Sequence, residues 1–320
     1  MSIPKILIYG FFVTAILLIG YFVENYYYLQ VLTFIGINTL LALGLNMLMG
    51  YAGQISLGHG AFYGIGAYTT AILTVNYQFS PWLSLPCAIL LAVTVAFLVG
   101  LPTLKLSGYY LGMGTLGFGM IAFIIFREWT SLTGGASGFV GIPSLEAGFI
   151  SFSSARNYFF LVWVVVLINL IVCGRMIQSR MGRALRAIHD SEKAAMAVGI
   201  NTMRLKLQIF VFSAAVGALA GFLYAHYISF ISPGTFDFLA SVRMVTMVVI
   251  GGMASIWGAL LGAALLTLLP EWLHAFADFE MIVYGLIMMI VMILLPRGLT
   301  RGLLDLYEKA GEGTGKGHDN

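Results

Sequence analysis

Charged side chains are scarce in this chain: they make up 9% of its 320 residues, against about 25% in soluble domains. A water-soluble fold of that length could not cover its surface with so few ionised groups, so the composition points to an integral membrane protein. The net charge of +3 is no footprint of nucleic acid, because the cations gather in segments that face away from the membrane. Cysteine is nearly absent too. Cys87 and Cys173 both fall in apolar stretches far apart in sequence, which argues against a disulfide framework or a thiolate metal site and leaves free, buried thiols as the expectation. Acidic residues are the third shortage: none lies between Glu24 and Glu128. Ion-coupled carriers usually place carboxylates inside their spans, where each costs roughly 3 kcal/mol on insertion scales and is kept for function. Here the acids read as span ends and connections, so no energy source is expected within this chain.

What the chain has instead is apolar length. Hydrophobic residues reach 60% and fall into nine segments: 6–23, 31–49, 61–75, 82–101, 106–126, 157–173, 208–231, 244–269 and 281–295. About 20 helical residues cross the hydrocarbon core, so 61–75 and 281–295 are short. Segment 244–269, which contains Gly251-Gly252 and Gly258, reads as two half-helices joined by a break. The expected fold class is all-α, a polytopic membrane protein with about 8 to 10 transmembrane helices including broken or re-entrant segments. Lys5 and the apolar run after it mimic a signal peptide, yet Glu24-Asn25-Tyr26 stands where a small-residue cleavage site is needed, so the run reads as a retained first helix. Residues 1–304 form one transmembrane unit in this reading, followed by a polar, glycine-rich and disordered tail at 305–320.

Cations orient the chain. Residues 175–207 hold Arg175, Arg180, Arg183, Arg186, Lys193, Arg204 and Lys206 against Asp190 and Glu192, which assigns that loop to the cytoplasm by the positive-inside rule. Lys5 and Lys105 then lie inside and Glu24 outside. The acidic stretch of Glu271, Asp278 and Glu280 also lies outside, so 244–269 must return to the side it left. Arg297 and Arg301 bring the C-terminus inside, beside the N-terminus. The connection from Arg127 to Arg156, with its glycine cluster at Gly134, Gly135 and Gly138, becomes the main outer loop.

Glycine is abundant, at 38 residues. The pairs Gly60/Gly64, Gly108/Gly112, Gly217/Gly221 and Gly258/Gly262 repeat at the spacing that lets helices approach closely in lipid, and imply a compact bundle. The densest polar run at membrane depth is 50–60, from Gly50-Tyr51-Ala52-Gly53-Gln54 to Gly58-His59-Gly60. Irregular backbone at that depth needs protein or a water-lined cavity to satisfy its amides, so a broken helix lining a transport path is the functional reading. Asn46, Gln54, Ser56 and His59 are its candidate lining residues, with simple packing as the rival role for His59. Two nucleotide motifs fail on inspection. Gly311 to Gly317 has the wrong glycine spacing for a phosphate loop, and Gly112 to Gly117 fits the dinucleotide pattern inside an apolar span with no strand before it. No nucleophile with a base and no metal-ligand spacing appears, so the chain does not read as an enzyme.

The stretches Gly50-Tyr51-Ala52-Gly53-Gln54-Ile55-Ser56-Leu57-Gly58-His59, Leu106-Ser107-Gly108-Tyr109-Tyr110-Leu111 with Thr115-Leu116-Gly117-Phe118-Gly119, Gly182-Arg183-Ala184-Leu185-Arg186 and Pro296-Arg297-Gly298-Leu299 resemble the LivM-type permease subunits of bacterial ABC importers for branched-chain amino acids. The resemblance runs from about Leu40 to Leu299. It implies a multi-pass protein of the bacterial inner membrane that forms half of a translocation path, with Tyr109 and Thr115 joining the path residues. It also implies a second homologous permease, two cytoplasmic ATPases that bind the ATP and magnesium, a periplasmic amino-acid-binding protein, lipid contacts and no nucleic acid. This chain would hold no cofactor itself. The 175–207 loop resembles the coupling segment that docks in an ATPase groove. Ala194, Ala195 and Gly199 match its small positions, while Lys193 takes its acidic position and Glu192 stands one residue early. Arg183, Glu192, Ala194, Ala195 and Gly199 form the expected coupling set, with the three small residues on one face of a helix at 187–203. Permeases of the same kind for urea, sugars or nucleosides, and an ion-coupled secondary transporter, are the alternatives.

Overall fold

The computed structural model describes residues 3–147 and 150–273, together with positions 286 and 289. The rest of the expected 281–295 span, Asp278, Glu280, Arg297, Arg301 and the 305–320 tail lie outside the described residues. A chain in lipid must satisfy its backbone amides within each segment, and helices account for nearly all of the described structure. Six helical segments are long and apolar enough to cross a membrane, and the apolar stretches Tyr9–Phe22 and Ile256–Glu271 are shorter.

α1 (Ile3–Phe22) leads into α2 (Tyr26–Asn46), which starts on an Asn25 side-chain cap and continues as a π-helical turn through Tyr51. Irregular backbone then runs to α3 (His59–Ala71). Next come α4 (Pro81–Thr103), opened by its own proline, and α5 (Tyr109–Glu128). The following connection contains the single turn α6 (Thr130–Thr133) and strands β1 (Phe139–Val140), β2 (Glu146–Ala147) and β3 (Ile150–Ser151). α7 (Ala155–Gln178), α8 (Arg180–Asp190), α9 (Glu192–Ala197) and α10 (Thr202–Ile228) follow. β4 (Phe230–Ile231) pairs antiparallel with β1, tying the chain after α10 to the loop after α5. α11 (Phe238–Gly251) and α12 (Ile256–Leu273) complete the described part.

α2 is the central helix, with 83% of its apolar span buried against 28% for α4 and for α5. It packs on α7, α10, α11 and α12, and α10 packs in turn on α3 and α4. Small residues make these approaches possible. A side chain on Gly66 would run into the Ala218 backbone, and one on Gly221 into that of Tyr63. Gly217/Gly221 and Gly258/Gly262 therefore seat helix crossings, with Gly262 against Met247 of α11. Gly108 does not: it caps α5 at φ +58 with open space around it, so the expected Gly108/Gly112 pair is half turn residue. α4 shows a stripe with no counterpart in the glycine pattern, burying Ser84, Ala88, Ala92, Ala96 and Gly100 at every fourth position. Its other faces are largely exposed, and the expectation of two buried thiols is corrected there: Cys87 is exposed, while Cys173 is buried.

The expected break in 244–269 falls at 252–255, between α11 and α12. Their hairpin turns beside Asn46, and the far end of α12 returns to the start of α2, where the Tyr27 hydroxyl donates to Glu271. Both arms thus open toward one end of the molecule. The hairpin begins earlier than the apolar run, because Asp237 caps α11 and charged Arg243 interrupts its hydrophobicity. The acids do not all fall in connections, as a consequence. Asp237 lies within the span Pro233–Gly251, its carboxylate accepting from Ala240 N at 2.8 Å.

Candidate functional site

Five of the six expected path residues converge on the irregular stretch between α2 and α3. Asn46, Gln54, Ser56, His59 and Thr115 are all buried, none more than 8% exposed. Asn46 braces the break in the α11–α12 hairpin: its amide donates to Ser255 O at 2.7 Å, and its carbonyl accepts from Ala254 N at 3.0 Å. Thr115, one turn and a half into α5, accepts from Leu57 N at 3.0 Å, which pins the irregular stretch to that helix. Ser213 of α10 donates to Gly44 O at 2.5 Å and sits 3.0 Å from His59 Nε2. With its hydroxyl proton used on Gly44, Ser213 can only accept from the histidine, so Nε2 carries the imidazole proton. His59 thereby joins α2, α3 and α10. Tyr109 is set apart at the first turn of α5, 87% exposed.

Among the described residues, Gln54 Oε1, Ser56 Oγ and His59 Nδ1 have no hydrogen-bond partner although buried. Each such group costs about 1–3 kcal/mol, and three lie within six residues, the largest such group along the described chain. A crevice opens beside it, lined by Leu57, Ala61, Leu116 and Met120 and bounded by Asp237 and Ser241. Gly60 N donates to Ser241 at 2.9 Å, tying the start of α3 to α11.

The second constellation is the hairpin of α8 and α9. The 175–207 segment comprises the end of α7, through Gln178, then α8 and α9, and the start of α10 from Thr202. The single helix expected at 187–203 is corrected. Ser191 leaves helical geometry and caps α9, and the chain turns again at Gly199, φ +83, because a serine that bonds the amide three residues on favours a helix start over a helix interior. Ala194, Ala195 and Gly199 therefore share no helical face. Ala195 is buried, Ala194 is exposed and Gly199 lies in the turn. The outward apolar surface comprises Met196 and Val198, 51% and 76% exposed, which spacing of small residues could not reveal.

α8 packs through Gly182, Leu185 and Ile188 and leaves its arginines outward. Arg183 Nη1 donates to Gln178 O at 3.3 Å, and Arg186 Nη2 to Ile177 O at 3.2 Å; both satisfy carbonyls at the end of α7. Glu192 pairs with Lys206, Nζ to Oε2 2.5 Å, a partner missing from the expected coupling set. The hairpin also reaches the irregular stretch directly, for a side chain on Gly53 would meet His189. Among the described residues no cluster of three or more His, Cys, Asp or Glu could hold a metal.

Comparison with known proteins adds the lineage. The family model described as branched-chain amino acid transport system / permease component matches residues 27–294. The high-affinity branched-chain amino acid transport system permease protein LivM of Escherichia coli K12 is 37% identical over 300 residues, covering 86% of this chain and 71% of its own. The corresponding LivH of Salmonella typhimurium is 27% identical over 278 residues, 81% of this chain and 90% of its own. BraD of Pseudomonas aeruginosa is 30% identical over 298 residues, 86% and 96% of the two chains. No solved structure matches. With its apolar helices, its broken α11–α12 hairpin and a family match across most of its length, this chain belongs to the permease components of the branched-chain amino acid transport systems.

Proposed function

We propose that this chain is one of two related permeases of an ATP-driven importer for leucine, isoleucine and valine, set in a bacterial plasma membrane with both termini and the α8–α9 hairpin cytoplasmic. Two ATPases engage the hairpin from the cytoplasm, carrying the nucleotide and magnesium, and a periplasmic binding protein delivers the amino acid. This permease makes and breaks no substrate bond. The observation that carries the reading is the hairpin itself. It presents Ala194, Met196 and Val198 outward among basic residues, and its inner side touches the poorly satisfied stretch at 53–59. A push on that surface reaches the segment with most to gain from rearrangement, where Gln54, Ser56 and His59 would meet water or solute in an open state. The crevice between α5 and α11 supplies largely apolar walls, Phe236 and Phe238 among them, and the exposed face of α5 is available to the second permease.

The test is reconstitution. The assembled complex should take up leucine only with ATP and the loaded binding protein, and leucine should stimulate its ATPase more than urea, ribose or a nucleoside does. Asp237, a carboxylate within a span, favours one rival, a self-contained ion-coupled carrier. Its commitment as the cap of α11 weakens that case, and solute flux through the lone chain under an ion gradient would decide for it.

A further inference from the structure

We infer that Glu192 and Lys206 form the mechanical latch that fastens α9 to α10, so that movement of α9 is delivered along α10 to the transport segment, beside the direct approach of His189 to Gly53. The inference rests on the importer reading above. Lys206 lies in the second turn of α10 and its side chain is 3% exposed, while that of Glu192, in the first turn of α9, is 34% exposed. A buried ammonium with no anion is strongly unfavourable. Among the described residues Glu192 is the carboxylate that meets it, so the lysine holds α9 wherever α10 goes. α9 is otherwise held by α8. It is six residues long, bounded by the Ser191 break and the Gly199 turn, and Ala195 is its buried residue.

The other end of the connection lies on the same face of α10. Ser213 follows Lys206 by seven residues, two helical turns or about 10 Å along the axis, and holds both Gly44 and His59. Lys206, Ile209, Phe210, Ser213 and Gly217 are all buried along that face. A rigid helix with the docking element pinned at one point and the irregular stretch at another moves both together. Glu192 and Lys206 are positioning residues in this scheme, and neither touches solute.

The experiment uses the complete importer in proteoliposomes, reading uptake, ATP hydrolysis and co-purified ATPase for each variant. Lys206→Met should keep the ATPases bound and hydrolysing, while leucine moved per ATP falls by about tenfold, the scale of a lost pair interaction, and Glu192→Gln should lower that ratio equally. Lys206→Arg should restore coupling, and the exchange of the two charges, Glu192→Lys with Lys206→Glu, should recover most of it. A wild-type transport ratio in both single variants would overturn the latch. So would loss of ATPase association in step with uptake, which marks a merely structural pair, or a charge exchange no better than the single changes. Absence of ATP-dependent uptake in the unmodified complex would instead remove the importer reading.

Discussion

Ser56 buries a hydroxyl that bonds to nothing among the described residues, and its neighbours Gln54 and His59 each bury an atom in the same condition. Replacing Ser56 with alanine removes the unsatisfied group at little cost in volume. Thermal unfolding of the purified protein should show a gain of about 1 kcal/mol, while uptake by the complex falls, because the closed arrangement has become the better one. A loss of stability in Ser56→Ala would mean that the hydroxyl is satisfied and the stretch is not poised to rearrange. At this scale the sequence was informative about location and silent about partners. The glycine-rich polar run marked the irregular stretch, since few other segments at membrane depth contain so many breakers. That Asn46 would brace Ala254 and Ser255, or that Lys206 would find Glu192, depends on helices far apart in the chain.

At the scale of elements, the crossing of α3 and α10 is set by glycine. Gly221 lies against the Tyr63 backbone, and Gly221→Leu should separate the two helices at a cost of about 3 kcal/mol, read as a lower melting temperature and poor recovery from detergent. Unchanged stability would show that the crossing yields. The proposed docking of the α8–α9 hairpin calls for a different probe. Gly199 sits at φ +83 with open space around it, so any side chain there strains the turn, and a defect in Gly199→Trp would mix strain with lost docking. Ala194 is exposed on helical backbone, and Ala194→Trp should leave insertion and unfolding unchanged while reducing co-purified ATPase by about tenfold, as obstruction of a close-packed interface does. Normal association in that variant removes α9 from the docking surface. The apolar runs foretold most of these helices, because each span must be long and water-averse. The helices run beyond the apolar segments wherever a charge lies inside a helix, as with Arg175 in α7 and Arg243 in α11, for helical backbone continues past a charge that can point away from the core.

For the whole molecule, the α11–α12 hairpin puts Glu271 beside Tyr27, at the end opposite the α8–α9 hairpin. Single cysteines at Glu24 and at Arg180, introduced with Cys87 and Cys173 replaced by serine, should react with an impermeant thiol reagent from the periplasmic and the cytoplasmic side respectively. Labelling of both from one side would overturn the orientation. The sequence by itself determined the class, since a chain with so few charges and such long apolar runs has no soluble alternative, and it located the break in 244–269, since paired glycines weaken a helix where they fall. Tertiary structure alone decided which small residues seat crossings and which lie in turns, which face of the α8–α9 hairpin looks outward, and which cation is buried against which acid. Hydrophobic pattern is a local quantity that each segment carries along its own length, whereas contact between α9 and α10, or between α2 and the α11–α12 turn, exists only after packing has chosen their faces.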